Sequence, residues 1–77
     1  MRMGYPVIDT RATGARIKAL RLERGLTVKD VQKALGFDEP QAVYKWERGS
    51  SLPSTDNLLA MSLLLEVPIE EILVYTR

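Results

Sequence analysis

Hydrophobic residues recur every three or four positions in five short segments of this chain, and Gly or Pro stands between the segments. Such spacing places the hydrophobic side chains on one face of an α-helix. No segment alternates hydrophobic and polar residues convincingly, so we expect no β-strand. The pattern predicts an all-α domain of five helices. The inward-facing residues are Ile17, Leu20, Val28, Val31, Leu35, Val43, Trp46, Leu58, Met61, Ser62, Leu65, Ile69, Ile72 and Leu73.

The helix boundaries are indicated by residues that cap the ends of helices. The starts are Asp9, Thr10 or Thr13 for the first helix, Thr27 with Asp30 as a capping box for the second, Pro40 for the third and Ser54 for the fourth. A glycine in left-handed backbone conformation is the usual residue just past a helix end. The glycines that end the first three helices are Gly25, Gly36 and Gly49.

The first ten residues differ from the rest of the chain. Gly4 and Pro6 interrupt regular structure, whereas Val7 and Ile8 offer a single hydrophobic anchor. We therefore divide the chain into an N-terminal arm at residues 1–10 and one domain at residues 11–77.

The composition excludes several kinds of chemistry. The chain has 77 residues, enough for one small domain, and contains neither cysteine nor histidine. Disulfides, thiolate metal sites, most zinc sites and His-based catalysis are therefore excluded. The adjacent carboxylates Glu70 and Glu71 diverge on a helix, and no nucleophile has a nearby base. We expect no enzyme, no cofactor, no metal and no small-molecule ligand.

The location of the protein is also constrained by the hydrophobic pattern. No hydrophobic stretch is long enough to span a membrane, and the N-terminus lacks the hydrophobic segment of a signal peptide. We expect a cytoplasmic protein that does not bind membranes.

Charge is distributed unevenly, although the net charge is only +1. Residues 1–51 carry ten Lys or Arg and six Asp or Glu, whereas residues 52–77 carry one Arg and four Asp or Glu. A basic region of this kind favours contact with phosphate only weakly, because a mixed, solvated surface gives the same counts.

The third predicted helix has two chemically different sides. Gln41, Tyr44 and Lys45 lie on one side, and Val43 and Trp46 lie on the other. A short helix with hydrogen-bonding side chains outside and a hydrophobic underside fits the DNA major groove. The run from Gly25 to Pro53 is therefore interpreted as a helix-turn-helix.

Four motifs, in this order, resemble the lambda-repressor-like helix-turn-helix family, also called the Cro-type or xenobiotic-response-element family. They are RIKALRLERGLT, VQKALG, KWERGSSLPSTDNLLAMS and VPIEEIL. The resemblance covers about Thr13 to Val74 and implies a bacterial or phage protein. It also implies that the second and third helices form the helix-turn-helix and that the third helix lies in the major groove.

The chain departs from the family pattern at two places. Between Gly36 and Trp46 it has an additional residue, which predicts a longer turn at residues 37–39. Gln32 stands where the family usually has alanine, close to where the two helices approach each other. The longer turn is a candidate explanation for how the chain makes room for Gln32.

Base-contacting residues are expected on the third helix. Gln41 resembles a base-contacting residue of the family, and its amide matches the N6 and N7 atoms of adenine. Lys45 lies on the same face and suits guanine or a phosphate. Ala42 is small enough to touch a thymine methyl group, although packing explains it equally well. For Gln41 and Lys45 the alternative is an ordinary solvated surface.

Contacts to the DNA backbone are expected at three places. They are the start of the second helix, the third helix, and the loop that follows it, with residues Thr27, Val28, Lys29, Tyr44, Arg48, Ser50 and Ser51. Helix N-termini bind phosphate through free N–H groups. The alternative for these residues is helix capping and loop formation, or surface packing for Tyr44.

Structural roles are expected for other residues. The family resemblance pairs Arg21 with Glu47 in a salt bridge between the first helix and the end of the third. Spacing places a further set in the core: Trp46, Phe37, Leu20, Val31, Val43 and Leu52. Leu59, Leu63, Val74 and Tyr75 are interpreted as an exposed hydrophobic dimer surface, with scattered surface leucines as the alternative.

Two functions are compatible with the sequence. The first is a sequence-specific regulator, most simply a repressor, that binds double-stranded DNA as a homodimer on a palindromic operator. The second is a protein-interaction module of the antitoxin or phage-regulator type, whose main partner is another protein. The acidic, leucine-rich C-terminal third permits the second function, which does not exclude DNA binding.

Overall fold

A computed structural model describes residues 4–77, so Met1–Met3 of the arm lie outside the described residues. It confirms the predicted all-α fold of five helices. The elements in chain order are β1 (Val7–Ile8), α1 (Thr10–Glu23), α2 (Val28–Ala34), α3 (Gln41–Arg48), α4 (Thr55–Leu65), α5 (Ile69–Ile72) and β2 (Tyr75–Thr76).

The expectation of no β-strand was wrong for the two ends of the domain. β1 and β2 pair antiparallel, with Val7 opposite Thr76 and Ile8 opposite Tyr75. The Asp9 N–H extends this ribbon by donating to the Val74 carbonyl at 2.8 Å. Two-residue strands carry no periodicity that a sequence pattern can detect. Residues 7–9 of the predicted arm are therefore hydrogen-bonded to the end of the chain.

Local side-chain caps explain where α1, α2 and α4 begin. The Asp9 carboxylate accepts the Ala12 N–H at 2.9 Å, and Ser54 Oγ accepts the Asn57 N–H at 3.3 Å. Thr27 and Asp30 form the predicted capping box. Thr13 is not a cap. Its hydroxyl is fully buried and both donates to the Val74 carbonyl and accepts the Val74 N–H, which ties α1 to the end of the chain.

One hydrophobic core joins all five helices. Its buried residues are Ile17, Leu20, Val28, Val31, Val43, Trp46, Met61, Leu65 and Ile72. Phe37 is half-buried and packs edge-to-face on Trp46, with ring centroids 5.9 Å apart. Leu52 was predicted as core but is 38% exposed, because it lies in the loop before α4.

Four helices end in the same backbone arrangement, in which the carbonyl of one residue accepts the N–H of the residue five positions later. The pairs are Arg21–Leu26, Gln32–Phe37, Lys45–Ser50 and Ser62–Val67, at 2.9 to 3.1 Å. The residue before the donor has left-handed backbone: Gly25, Gly36, Gly49 and Glu66. This is the Schellman motif, which satisfies carbonyls that a helix end leaves free.

Candidate nucleic-acid interface

The α2–α3 unit presents one exposed polar face. In α3, Val43 is fully buried and Trp46 is nearly so, whereas Gln41, Tyr44 and Lys45 are exposed. The buried pair fixes the rotation of α3 about its own axis. The three polar side chains are therefore held on the outside of the domain by packing on the opposite side of the same helix.

Lys45 differs from the corresponding residues at the other three helix ends in the hydrogen bonding of its side chain. At the other three helix ends, the residue whose backbone carbonyl accepts the five-residue hydrogen bond also donates from its side chain to the carbonyl of its partner. The side chains of Arg21, Gln32 and Ser62 donate to the carbonyls of Leu26, Phe37 and Val67, respectively. Among the described residues Lys45 makes no such bond to Ser50. Its ammonium group is therefore available to a partner outside the domain.

Ala42 does not share this exposure. It is half-buried and packs against the core. This burial favours the packing interpretation of Ala42, and a base contact by its methyl group stays a prediction.

A groove beside the start of α2 brings several predicted backbone-contacting residues together. Tyr44 from α3 lines this groove together with Thr27 and Lys29. Val28 also lines the groove, but its side chain is 9% exposed and belongs to the core. A contact at Val28 therefore depends on its backbone N–H, as predicted for the start of the second helix.

The capping box limits which N–H groups of α2 are free. Asp30 Oδ2 accepts the Thr27 N–H at 2.8 Å, and Thr27 Oγ1 accepts the Asp30 N–H at 3.0 Å. The Val28 and Lys29 N–H groups have no partner among the described residues. Hydrogen bonds from Thr27 lower the pKa of Asp30. The ionised cap therefore stabilises α2 above the unfolded-state pKa and is lost as the pH falls through the lower folded-state pKa.

The end of α3 and the loop after it contain the third predicted group, Arg48, Ser50 and Ser51, all of which are exposed. Gly49 has φ of 78°, and a Cβ there would lie 2.7 Å from the Arg11 Cα. Glycine is therefore required both by its backbone and by the close approach of α1. This contact brings the exposed Arg11 beside the loop. Sequence reasoning missed Arg11, since the two residues are far apart along the chain.

Arg21 and Glu47 form a buried, bidentate ion pair. Arg21 Nε lies 2.7 Å from Glu47 Oε2, and Nη2 lies 3.0 Å from Oε1. The two side chains are 9% and 8% exposed. Arg21 Nη1 also donates to the Leu26 carbonyl at 2.9 Å. The Glu47 carboxylate raises the pKa of Arg21, although burial opposes this effect. The pair links α1 to the end of α3.

Gly14 also sets the position of α3, and sequence reasoning missed it. A Cβ at Gly14 would overlap the Trp46 carbonyl oxygen and lie 2.7 Å from the Glu47 carbonyl oxygen. The backbone of α1 thus touches the backbone of α3 directly. The sequence offers only a glycine inside a helical pattern, a signal of close packing that is easily overlooked.

The four residues of the predicted dimer surface differ in location and in exposure. Leu59 and Leu63 are 52% and 72% exposed on α4, and Tyr75 is 42% exposed on β2. Val74 is half-buried, because Thr13 holds its backbone against α1. Val74 is therefore less exposed than the other three residues of the predicted surface. Tyr5 is 87% exposed. Val7, named above with Ile8 as a hydrophobic anchor, is 61% exposed in the ribbon that contains Tyr75, whereas Ile8 is half-buried.

Among residues 4–77, every helix is too short or too polar to cross a membrane.

Comparison with known proteins places this arrangement in a wider context. The profile of the Helix-turn-helix family matches residues 17–72. No match was found among curated proteins.

Several solved structures are similar to this chain. The P22 c2 repressor in complex with a synthetic operator is 31% identical, with a TM-score of 0.73 over 79% of this chain and 91% of that chain. The controller protein C.AhdI of a restriction-modification system from Aeromonas hydrophila is 26% identical, with a TM-score of 0.75 over 83% and 96%. The DNA-binding domain of BldD from S. venezulae is 27% identical, with a TM-score of 0.72 over 84% and 96%.

Proposed function

Because this chain belongs to the lambda-repressor-like helix-turn-helix family of DNA-binding regulators, we propose that it is a sequence-specific transcriptional repressor. It inserts α3 into the major groove of its operator and acts as a dimer on a palindromic site. The solved operator complex of the P22 c2 repressor supports operator binding by this fold.

The observation that carries the proposal is the exposed face of α3. Gln41 and Lys45 lie one helical turn apart on this face, while Val43 and Trp46 anchor the opposite face in the core. A glutamine amide offers a donor and an acceptor to adenine, and a lysine donates to guanine O6 and N7. Packing of the underside fixes the helix backbone that carries both side chains before DNA arrives, which reduces the entropy lost on binding.

Backbone contacts hold the helix in register. The Lys29 side chain, the Val28 and Lys29 N–H groups, and Tyr44 surround one groove and receive one phosphate. Thr27 contributes by shaping the turn. Arg48, Ser50 and Ser51, together with Arg11, receive a phosphate at the other end of α3. Contacts of this kind position the protein without reading sequence.

Substitution of the two base-reading residues tests this function. We expect Gln41→Ala and Lys45→Ala each to weaken operator binding about tenfold and to relax the preference at one base pair, since a good base contact provides about 1–3 kcal/mol of discrimination. Fluorescence anisotropy on a selected operator and on single-base variants measures both effects.

Lys18→Ala is the matched control, because Lys18 is an exposed lysine on α1 that is not among the proposed contact residues. It removes the same charge as Lys45→Ala. Base reading by α3 would be contradicted if both α3 variants kept the wild-type base preferences and bound the operator and its single-base variants with equally reduced affinity.

Dimerisation is proposed through α4. A helix that is hydrophobic on nearly all sides is normally buried, yet Leu59 and Leu63 remain exposed one turn apart. A domain of this size contacts few base pairs, so two half-sites about one helical turn apart are needed for useful specificity. A second copy of the chain covers the two leucines.

The oligomeric state tests the α4 surface. We expect Leu63→Lys to shift the protein from dimer to monomer in sedimentation and to lower operator affinity by at least about tenfold, because each half-site then binds alone. Val7→Lys, on the ribbon, leaves the dimer intact. A wild-type protein that is monomeric both free and on its operator would contradict this proposal and favour a different protein as the partner of α4.

A further inference from the structure

The start of α3 lacks the local cap that the other long helices possess. Side chains of Asp9, Thr27 and Ser54 cap α1, α2 and α4. Pro40 precedes α3 and makes no side-chain cap hydrogen bond. The backbone of residues 35–40 must therefore be held by something other than its own cap if Gln41, the first residue of α3, is to have a fixed position.

Gln32 supplies that hold. Its backbone carbonyl accepts the Phe37 N–H at 3.0 Å, and its side-chain amide donates to the Phe37 carbonyl at 3.2 Å. Among the side-chain hydrogen bonds of residues 4–77, this one alone reaches the 35–40 turn. The Phe37 ring in turn packs edge-to-face on Trp46 of α3. Gln32 on α2 is thus linked through Phe37 to α3.

The two ends of α3 are held by different contacts. Near its C-terminal end, Glu47 pairs with Arg21, and the backbone of Trp46 and Glu47 touches Gly14. Before its N-terminal end, the turn that leads into Gln41 is held by the hydrogen bond from the Gln32 amide to the Phe37 carbonyl. Loss of the Gln32 amide therefore releases the end that carries Gln41 more than the end that carries Lys45.

We propose that Gln32 is a positioning residue that sets where Gln41 meets the DNA bases, without touching DNA itself. This inference rests on the proposed function of α3. It also gives a role to the two departures from the family pattern, because the longer turn presents the Phe37 carbonyl that the Gln32 amide binds.

Gln32→Met tests the proposal, because methionine keeps the length of the side chain and removes its donor. Gln41→Ala and Lys45→Ala each identify one base pair, namely the pair at which that variant loses its sequence preference. In Gln32→Met we expect the preference at the Gln41 base pair to fall at least about fivefold, while the preference at the Lys45 base pair stays within about twofold of wild type. Both are measured by anisotropy at a temperature where all variants are folded.

Ser62→Ala is a closely matched control. Ser62 Oγ donates to the Val67 carbonyl at 2.5 Å across the end of α4, with the same five-residue separation as Gln32 and Phe37. A purely structural loss lowers the melting temperature in both variants and leaves both base preferences intact. If Gln32→Met keeps both base preferences, as Ser62→Ala is expected to do, the positioning role is overturned.

Amide hydrogen exchange provides a second readout that does not need DNA. The Tyr44 N–H donates to the Pro40 carbonyl in the first turn of α3, and the Ser50 N–H donates to the Lys45 carbonyl at the other end. In Gln32→Met we expect exchange at Tyr44 to accelerate at least about fivefold relative to Ser50. Equal acceleration at both amides overturns the proposal. A wild-type protein that prefers no DNA sequence overturns the proposed function. In that case the relative exchange rates of the Tyr44 and Ser50 amides still test whether Gln32 holds the start of α3.

Discussion

Gly14→Ala is expected to lower the free energy of unfolding by about 3 kcal/mol, a large part of the stability of a domain this small. The added methyl group would overlap the Trp46 carbonyl oxygen and crowd that of Glu47, so α1 and α3 must separate. Because the obstacles are backbone atoms, no side-chain rotation relieves them. The better helix propensity of alanine offsets only about 0.5–1 kcal/mol of this cost. Chemical denaturation measures the change.

Gly25→Ala serves as the control for Gly14→Ala. Gly25 has φ of 68°, but a Cβ there would meet nothing within 4 Å. The substitution therefore costs only the strain of left-handed backbone, about 1 kcal/mol. A Gly14→Ala variant that is no less stable than Gly25→Ala would show that α1 and α3 are not in close backbone contact.

Glu47→Ala is expected to lower the free energy of unfolding by about 3 kcal/mol as well, for a different reason. Glu47 and Arg21 are nearly inaccessible to solvent, and removal of the carboxylate leaves a buried guanidinium without its counter-charge. DNA binding should weaken only indirectly, through the position of α3. Thermal and chemical unfolding measure the stability, and anisotropy on the operator measures the binding.

Two control variants test whether the stability loss in Glu47→Ala comes from an unpaired buried charge or from a general loss of packing. Arg24→Ala removes one partner of the exposed Arg24–Glu66 pair and should change stability by no more than about 0.5 kcal/mol. The double variant Arg21→Met/Glu47→Met should be more stable than Glu47→Ala, because no charge remains buried. An unchanged melting temperature in Glu47→Ala would be incompatible with the buried pair.

Features encoded by neighbouring residues could be predicted from the sequence. The Thr27–Asp30 capping box, the Ser54 cap and the glycines after the helices depend on residues within one helical turn. The exposed face of α3 could be predicted as well, since helical periodicity alone separates Gln41 and Lys45 from Val43 and Trp46.

Features that depend on distant residues could not be predicted in this way. The burial of Thr13 on Val74, the contact of Gly14 with α3 and the approach of Arg11 to Gly49 each join segments far apart in the chain. The same limit applies to the partial burial of Val74 and Ala42. Their hydrophobicity was evident, but which neighbours would cover them was not. Gln32 was recognised as unusual, whereas its partner, the Phe37 carbonyl, required coordinates.

Selection of random DNA duplexes by the wild-type protein, followed by anisotropy on the enriched sequences at several salt concentrations, tests the central claim most directly. We expect enrichment of a palindrome with half-sites about one helical turn apart. Its affinity should fall with salt but stay well above that for unrelated DNA, because base contacts add to the phosphate contacts. Binding that is equally tight to all duplexes at every salt concentration, or absent, would contradict the assignment of α3 as a sequence-reading helix.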